Sequence, residues 1–252
     1  MNNLHILVCG GGFPDICRLL QEPLIGDEIR VCAEGSVVGA LPGVDVIIPA
    51  MSRITADHMD IGTFRLIQQW GTGIEGVDIE AAQQRGIWVA NVPSRDTHHA
   101  DSVAEHALLL ILALMRNLPM AQSNVRSGLL GSPIGRTLAD RTVCILGLGA
   151  IGCALARRLR PFGVRLIGIS RHIRQKLSEE LGLTAWFSSR DRLQALAHAD
   201  VLVLCAPLTP ETNGIINERE LKSMRRGSYL VNVGRGALIA YDALLAALRE
   251  NL

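Results

Sequence analysis

Residues 143–152 read Val-Cys-Ile-Leu-Gly-Leu-Gly-Ala-Ile-Gly, an apolar run closed by Gly147, Gly149 and Gly152 at the spacing G-x-G-x-x-G. No other stretch of the chain limits its fold so strongly. The run before the glycines predicts a strand over Thr142–Leu146, and the residues after them predict a helix over Ile151–Arg160. Each glycine then has a physical task. Gly147 permits the tight turn, Gly149 lets a pyrophosphate approach the backbone, and Gly152 allows the helix to pack closely on the strand. The first helical N–H groups, from Ala150 and Ile151 onward, offer an anion unpaired donors and the positive end of the helix dipole. Glycine-rich turns also arise for steric reasons alone, but the complete strand–turn–helix setting points to dinucleotide binding.

The end of the next strand bears on the kind of dinucleotide. An acid about 20 residues past the glycines would bond the ribose 2′-hydroxyl of NAD. Here the chain reads Gly168-Ile-Ser-Arg-His-Ile-Arg174. Ser170 stands where the acid is expected, and Arg171 and Arg174 could pair with a 2′-phosphate. This pattern favours NADP over NAD. The alternative is a solvated turn, with NAD bound through Ser170.

Further strands are expected at Arg165–Ile169, Val201–Leu204 and Ser228–Val233, with a helix over Tyr241–Asn251. Strands alternating with helical stretches imply right-handed βαβ units and a Rossmann-type doubly wound parallel sheet. Before this series, His5–Cys9, Asp45–Pro49, Arg65–Gln69 and Ile87–Val89 read as short strands of a smaller parallel α/β unit. A long helix from Ala100 to about Ser127 is expected to connect the two, capped by Asp101 or Ser102. We therefore divide the chain into a smaller α/β domain over residues 1–97 and a dinucleotide-binding domain over residues 98–252.

Composition excludes several classes. With 48% hydrophobic and 19% charged residues, the chain has material for a real core and is not intrinsically disordered. A net charge of +1 and 4% aromatics give no basis for nucleic acid or an anionic membrane as partner. The six cysteines form no C-x-x-C pair, so they read as buried thiols in a reducing compartment rather than metal ligands, and no metal site is expected. The longest apolar run, Ala107–Met115, is far short of the roughly 20 residues a bilayer span needs, and the N-terminal residues read as a first strand rather than a signal peptide. A cytoplasmic protein is expected.

From about residue 44 onward the chain resembles the D-isomer-specific 2-hydroxyacid dehydrogenase family, the branch of glyoxylate/hydroxypyruvate reductases and phosphoglycerate dehydrogenases. The resemblance rests on Leu66-Ile-Gln-Gln-Trp-Gly-Thr-Gly-Ile-Glu-Gly-Val-Asp78, Asn91-Val-Pro93, Ser102-Val-Ala-Glu-His106, the glycine fingerprint, Cys205-Ala-Pro-Leu-Thr-Pro-Glu-Thr212 and Val231-Asn-Val-Gly-Arg-Gly-Ala237. It implies a Rossmann-type domain plus a smaller flavodoxin-like substrate domain, with the active site in the cleft between them, in a homodimer. It implies hydride transfer between a nicotinamide and a 2-oxo or 2-hydroxy acid. By the same resemblance, Arg235 binds the substrate carboxylate and carbonyl, and the backbone amides of Thr72 and Gly73 hold the carboxylate. Cys205, Ala206, Pro207, Thr212, Val233 and Gly234 line the cofactor. A histidine whose pKa is raised by a glutamate exchanges the proton. These residue types suit the chemistry, because hydride delivery builds negative charge on an oxygen that a guanidinium can hold and an imidazolium can protonate.

The sequence departs from the family at that last pair. In the family the glutamate follows the arginine by some tens of residues, and the histidine lies further on. Here the histidines, at 5, 58, 98, 99, 106, 172 and 198, all precede Arg235, and Glu250 is the one glutamate after it. Of the others, His98, His99 and His106 lie nearest the expected cleft. They, Glu75 and Asp78 read better as solvated or helix-start residues than as catalysts. The expectation is a family fold incomplete at its C-terminus, with Ser228–Val233 left at a sheet edge and prone to association. Two function classes follow: an oxidoreductase, or a catalytically inactive dinucleotide-binding or scaffold remnant.

Overall fold

The computed structural model describes residues 3–250 apart from 11–13, 22, 25, 94–96 and 173–174. The chain divides into two compact units, Met1–Pro93 and Ser94–Leu252. The first contains β1 (His5–Cys9), α1 (Pro14–Gln21), β2 (Glu28–Cys32), α2 (Val37–Ala40), β3 (Val46–Ile48), α3 (Ala56–Ile61), β4 (Leu66–Gln68), α4 (Ile79–Gln84) and β5 (Trp88–Ala90). Its strands form one parallel sheet in the order β2-β1-β3-β4-β5, the flavodoxin-like arrangement. Side chains alternate across it: Leu7, Cys9 and Ile47 enter one core, while Ile6, Val8 and Ile48 enter another on the opposite face.

The second unit contains α5 (His99–Met115), α6 (Leu118–Arg126), β6 (Thr142–Leu146), α7 (Ala150–Leu159), β7 (Arg165–Ser170), α8 (Gln175–Leu181), β8 (Ala185–Ser188), α9 (Arg192–Leu196), β9 (Val201–Leu204), α10 (Glu218–Ser223), β10 (Tyr229–Asn232) and α11 (Tyr241–Arg249). Its parallel sheet runs β10-β9-β6-β7-β8. Counted within the unit this is the order 3-2-1-4-5 of a doubly wound dinucleotide fold, and the strand order reverses between β6 and β9. All five residues of β6 are buried. Val143 and Ile145 pack towards α5 and α7, and Cys144 and Leu146 towards the layer of α9, α10 and α11. An α/β/α sandwich built on such a strand needs its continuous apolar sequence, because neither face meets water.

Three expectations need correction. The connecting helix is not continuous: α5 stops at Met115, Asn117 takes a left-handed φ of 46°, and α6 restarts with Pro119 in its first turn. The two helices bend by 60°, because proline suits a helix start and breaks a helix interior. Asp101 is not the cap of α5. The N-cap is His98 without a side-chain bond, and the Asp101 carboxylate instead accepts from Arg158 at 2.9 Å. Finally, β2 and β8 were not expected. Both are edge strands with half-exposed residues, so neither carries the apolar run that marks a central strand. β10 lies at a sheet edge, as anticipated. Among the described residues, no single helix is long and apolar enough to cross a membrane.

Candidate functional site

The glycine loop closes off β6 at the point where the strand order reverses. Gly147 donates to the Ile169 carbonyl at the end of β7 (2.8 Å), while Cys205, just past β9, donates to the Leu146 carbonyl (2.8 Å). The loop is thus tied to both neighbouring strands, in the crevice where doubly wound sheets hold ligands. Gly147 has φ +101°, and a Cβ there would lie 2.6 Å from the Ala206 nitrogen. A Cβ on Gly152 would run into the Gly147 carbonyl, whereas one on Gly149 would meet nothing within 4 Å. The turn is therefore filled on its protein side and open at Gly149. The N–H groups of Ala150, Ile151 and Gly152 precede the first intrahelical bond, from the Cys153 N–H to the Gly149 carbonyl (3.0 Å), and no side chain caps the helix. Open space before uncapped helical amides fits a dinucleotide pyrophosphate.

Two further turns meet this loop at Ala206. A Cβ on Gly234 would come within 2.8 Å of the Ala206 carbonyl oxygen, so the turn after β10 and the turn after β9 are in backbone contact. Cys205 and Ala206 are buried and Pro207 is exposed. Desolvation pushes the Cys205 thiol up to about 12, which makes it a packing group rather than a nucleophile. Thr212 Oγ1 donates to the Pro207 carbonyl (2.7 Å) and accepts from the Thr209 N–H (2.7 Å), fixing the turn.

Val233 and Gly234 lead into Arg235, which is half-buried and donates from Nη1 to the Gly234 carbonyl (3.1 Å). The conformation is set by Asn232, whose side chain accepts from the Gly234 N–H (3.0 Å) and donates to the Arg235 carbonyl (2.9 Å). The motif that contains Asn232 assigns it no role in the sequence reading. Its signal is an asparagine two residues before a glycine, the setting for an Asx-type turn.

At the end of β7, Ser170 is engaged on two sides. Its hydroxyl donates to the His172 carbonyl (2.7 Å) and accepts from Trp186 Nε1 of β8 (2.8 Å). Arg171 is exposed. The Glu211 carboxyl is held below its usual range, chiefly by the Thr209 hydroxyl and a backbone bond, with the Arg171 charge adding to both. Arg174 falls outside the described residues.

Within the first unit, the turn after β4 carries Thr72 and Gly73, both half-buried. Asn91 Nδ2 donates to the Thr72 carbonyl (2.7 Å) and the Val92 N–H donates to the Gly71 carbonyl (3.0 Å). The N–H groups of Thr72 and Gly73 donate to nothing among the described residues. A separate cavity of about 390 Å³, lined by Leu4, Asp45, Arg65 and Trp88 among others, opens near the amino ends of these strands, away from that turn. Asp78 caps α4 by accepting from the Ala81 N–H (3.0 Å). His98 is fully exposed and faces Asp101 at 3.6 Å, His106 is exposed, and Glu105 pairs with Arg158 at 3.0 Å.

A doubly wound parallel sheet with a glycine cradle at its switch point defines a dinucleotide-binding protein. The family described as D-isomer specific 2-hydroxyacid dehydrogenase, NAD binding domain, matches residues 108–252. A glyoxylate reductase of Thermococcus gammatolerans is 37% identical over 247 residues, 94% of this chain and 72% of its own. The glyoxylate reductase of Thermococcus kodakarensis is 36% identical over 218 residues, 82% of this chain and 63% of its own, so the chain spans less than two thirds of that relative. The solved NAD-dependent formate dehydrogenase of Staphylococcus aureus, in complex with NAD, superposes with a TM-score of 0.78 at 27% identity, covering 98% of this chain and 78% of its own. The chain belongs to the D-isomer specific 2-hydroxyacid dehydrogenase family, and its second unit carries the family's nicotinamide-dinucleotide domain.

Proposed function

We propose that this protein transfers a hydride between a nicotinamide dinucleotide and a small 2-oxo or 2-hydroxy acid, with glyoxylate and hydroxypyruvate as the substrates to try first. The observation that carries this is the contact of Gly147 and Gly234 with one residue, Ala206. It sets the Arg235 guanidinium one residue beyond a wall of the dinucleotide cradle. A cation there can hold the substrate carboxylate and the oxygen on which charge develops. The amides of Thr72 and Gly73, which have no acceptor among the described residues, suit a carboxylate as well. Gly147, Gly149, Gly152 and the amides of Ala150 and Ile151 would hold the pyrophosphate, with Cys205–Pro207, Thr212 and Val233 along the remainder. The bound nicotinamide supplies the hydride, and the chain supplies orientation and charge. The names of the relatives, all reductases or dehydrogenases, lend nothing to a non-catalytic reading.

Of the two cofactors we propose NAD. The NADP expectation rests on Arg171 and Arg174, and Arg171 is exposed and shares its field with Glu211. The family's domain is described as NAD binding, and a solved neighbour holds NAD. The five cysteines whose side chains are described are free and buried, which supports a reducing, cytoplasmic compartment. The exposed side chains of Leu129, Leu130 and Ile134 on the segment after α6 support a homodimer, since exposed apolar clusters of this kind mark association surfaces. A stable monomer by light scattering would rule the dimer out.

The activity test is oxidation of NADH and NADPH with glyoxylate and with hydroxypyruvate, beside an Arg235→Ala control. Turnover that the substitution abolishes supports the proposal. Dinucleotide binding without turnover of any 2-oxo acid rejects it for this chain.

A further inference from the structure

Ser170 holds the position at which dinucleotide folds of this order usually place an acid. Trp186 pairs in register with Gly168, so its side chain and that of Ser170, two residues along β7, lie on one face of the sheet. The Leu148 and Leu183 side chains fill the space over Gly168 on that face, and the indole reaches Ser170, where Nε1 donates to the hydroxyl at 2.8 Å. The hydroxyl in turn donates to the His172 carbonyl at 2.7 Å. The direction of both bonds is fixed, because an indole N–H can only donate and a carbonyl can only accept. A serine hydroxyl has one proton and two lone pairs. The proton is committed to His172 and one lone pair to Trp186, which leaves a single lone pair.

Resting on the dinucleotide reading above, we propose that Trp186 is a positioning residue for cofactor discrimination. By occupying one lone pair it fixes the hydroxyl rotor with its proton on the His172 carbonyl, so that what Ser170 offers a ligand is an acceptor, the same hydrogen-bonding character that a carboxylate has at this place. An acceptor takes the ribose 2′-hydroxyl of NAD and has no proton for a 2′-phosphate. The hydroxyl thus does without charge what an acid does with it. Because Ser170 also fixes the His172 carbonyl, the relay orders the backbone on either side of Arg171. Without the indole N–H, the His172 carbonyl alone holds the hydroxyl rotor, and the proton turns more readily from it to a phosphate oxygen.

The test measures dissociation constants of NADH and NADPH by isothermal titration calorimetry on the full chain, with no substrate and no turnover. The variants are Trp186→Phe, Ser170→Ala and the double substitution. We expect wild type to prefer NADH, and Trp186→Phe to shrink that preference about fivefold, the value of one hydrogen bond of about 1 kcal/mol. Ser170→Ala is expected to do the same, and the double variant no more than either alone, since both remove one device. An unchanged NADH/NADPH ratio in Trp186→Phe overturns the proposal, even if both affinities fall, because equal losses report packing alone. A wild type that prefers NADPH overturns it as well. Should Trp186→Phe fail to fold, Ser170→Ala keeps the indole and reads the same ratio: a reduced preference supports the proposal, and an unchanged one overturns it. A wild type that binds neither dinucleotide defeats the dinucleotide reading itself and this proposal with it.

Discussion

Gly147 and Ala206 are in backbone contact: a methyl group on Gly147 would lie 2.6 Å from the Ala206 nitrogen and 2.7 Å from its Cα. Two turns from different strands close on each other there, and only glycine fits. A side chain at φ +101° is strained before it meets anything. Gly147→Ala is expected to cost about 2–3 kcal/mol and to lower Tm by about 5–10 °C. Gly149→Ala, at a position with nothing within 4 Å, should leave Tm within about 2 °C yet weaken NADH binding at least tenfold. Thermal melts and calorimetry on the pair check this, and equal effects of both substitutions on stability would sink it.

That contrast shows where a sequence is legible. The glycine spacing announces the cradle because each glycine answers a local steric demand, and β6 is legible because burial on both faces forces an unbroken apolar run. The edge strands β2 and β8 are hidden for the converse reason: solvent on one side lets Glu28 and Arg30 alternate with apolar residues. The bend at Asn117 is obscured by the strong apolar stripe of α5 running up to it. The site is legible as separate motifs, but their meeting at Ala206 depends on strand order, which no motif records. The Trp186–Ser170 bond depends on β7 and β8 pairing in one register, and β8 carries no apolar run to announce it.

Glu220 is completely buried, and Arg192 reaches it with Nη2 at 2.8 Å and Nε at 3.1 Å. The second carboxylate oxygen accepts from the Asn217 N–H at 3.2 Å, closing the capping box of α10. Removing the cation leaves a buried charge with backbone partners only. Arg192→Met is expected to destabilise by about 3 kcal/mol or more, whereas Lys222→Met, which breaks the exposed Glu218 pair, should leave stability almost unchanged because solvent screens that pair. Urea unfolding of the two variants separates them, and comparable losses would contradict this account of Glu220.

Arg158 binds Asp101 at 2.9 Å and Glu105 at 3.0 Å, tying α7 to the first turns of α5. The Arg158 hydrogen bond, and to a lesser degree His98, hold the Asp101 carboxyl below the usual carboxylate range. A carboxyl depressed in the folded state stabilises fully above its unfolded pKa, about 3.9. That contribution is lost as pH falls through the lower folded value. The Tm difference between wild type and Arg158→Met should therefore hold steady from about pH 8 to 5 and narrow towards pH 3. A difference that widens with acid would show that the pair does not act through ionised Asp101.

Asn232 is the residue on which the placement of Arg235 depends. Its side chain accepts from the Gly234 N–H at 3.0 Å and donates to the Arg235 carbonyl at 2.9 Å, so it holds the backbone on both sides of the peptide that presents the guanidinium. Asn232→Ala removes both bonds and should cost about 1–2 kcal/mol of stability. A guanidinium displaced by a fraction of an ångström holds a developing charge poorly, so kcat/KM for the 2-oxo acid should fall at least tenfold. Asn232→Asp separates the two bonds, because a carboxylate still accepts from Gly234 but cannot donate to the Arg235 carbonyl. It should keep NADH affinity near the wild-type value while sharing most of the loss in kcat/KM. Steady-state kinetics beside NADH titration checks this. If NADH affinity and kcat/KM fell in parallel in Asn232→Asp, the turn would be shaping the cradle as a whole rather than aiming Arg235.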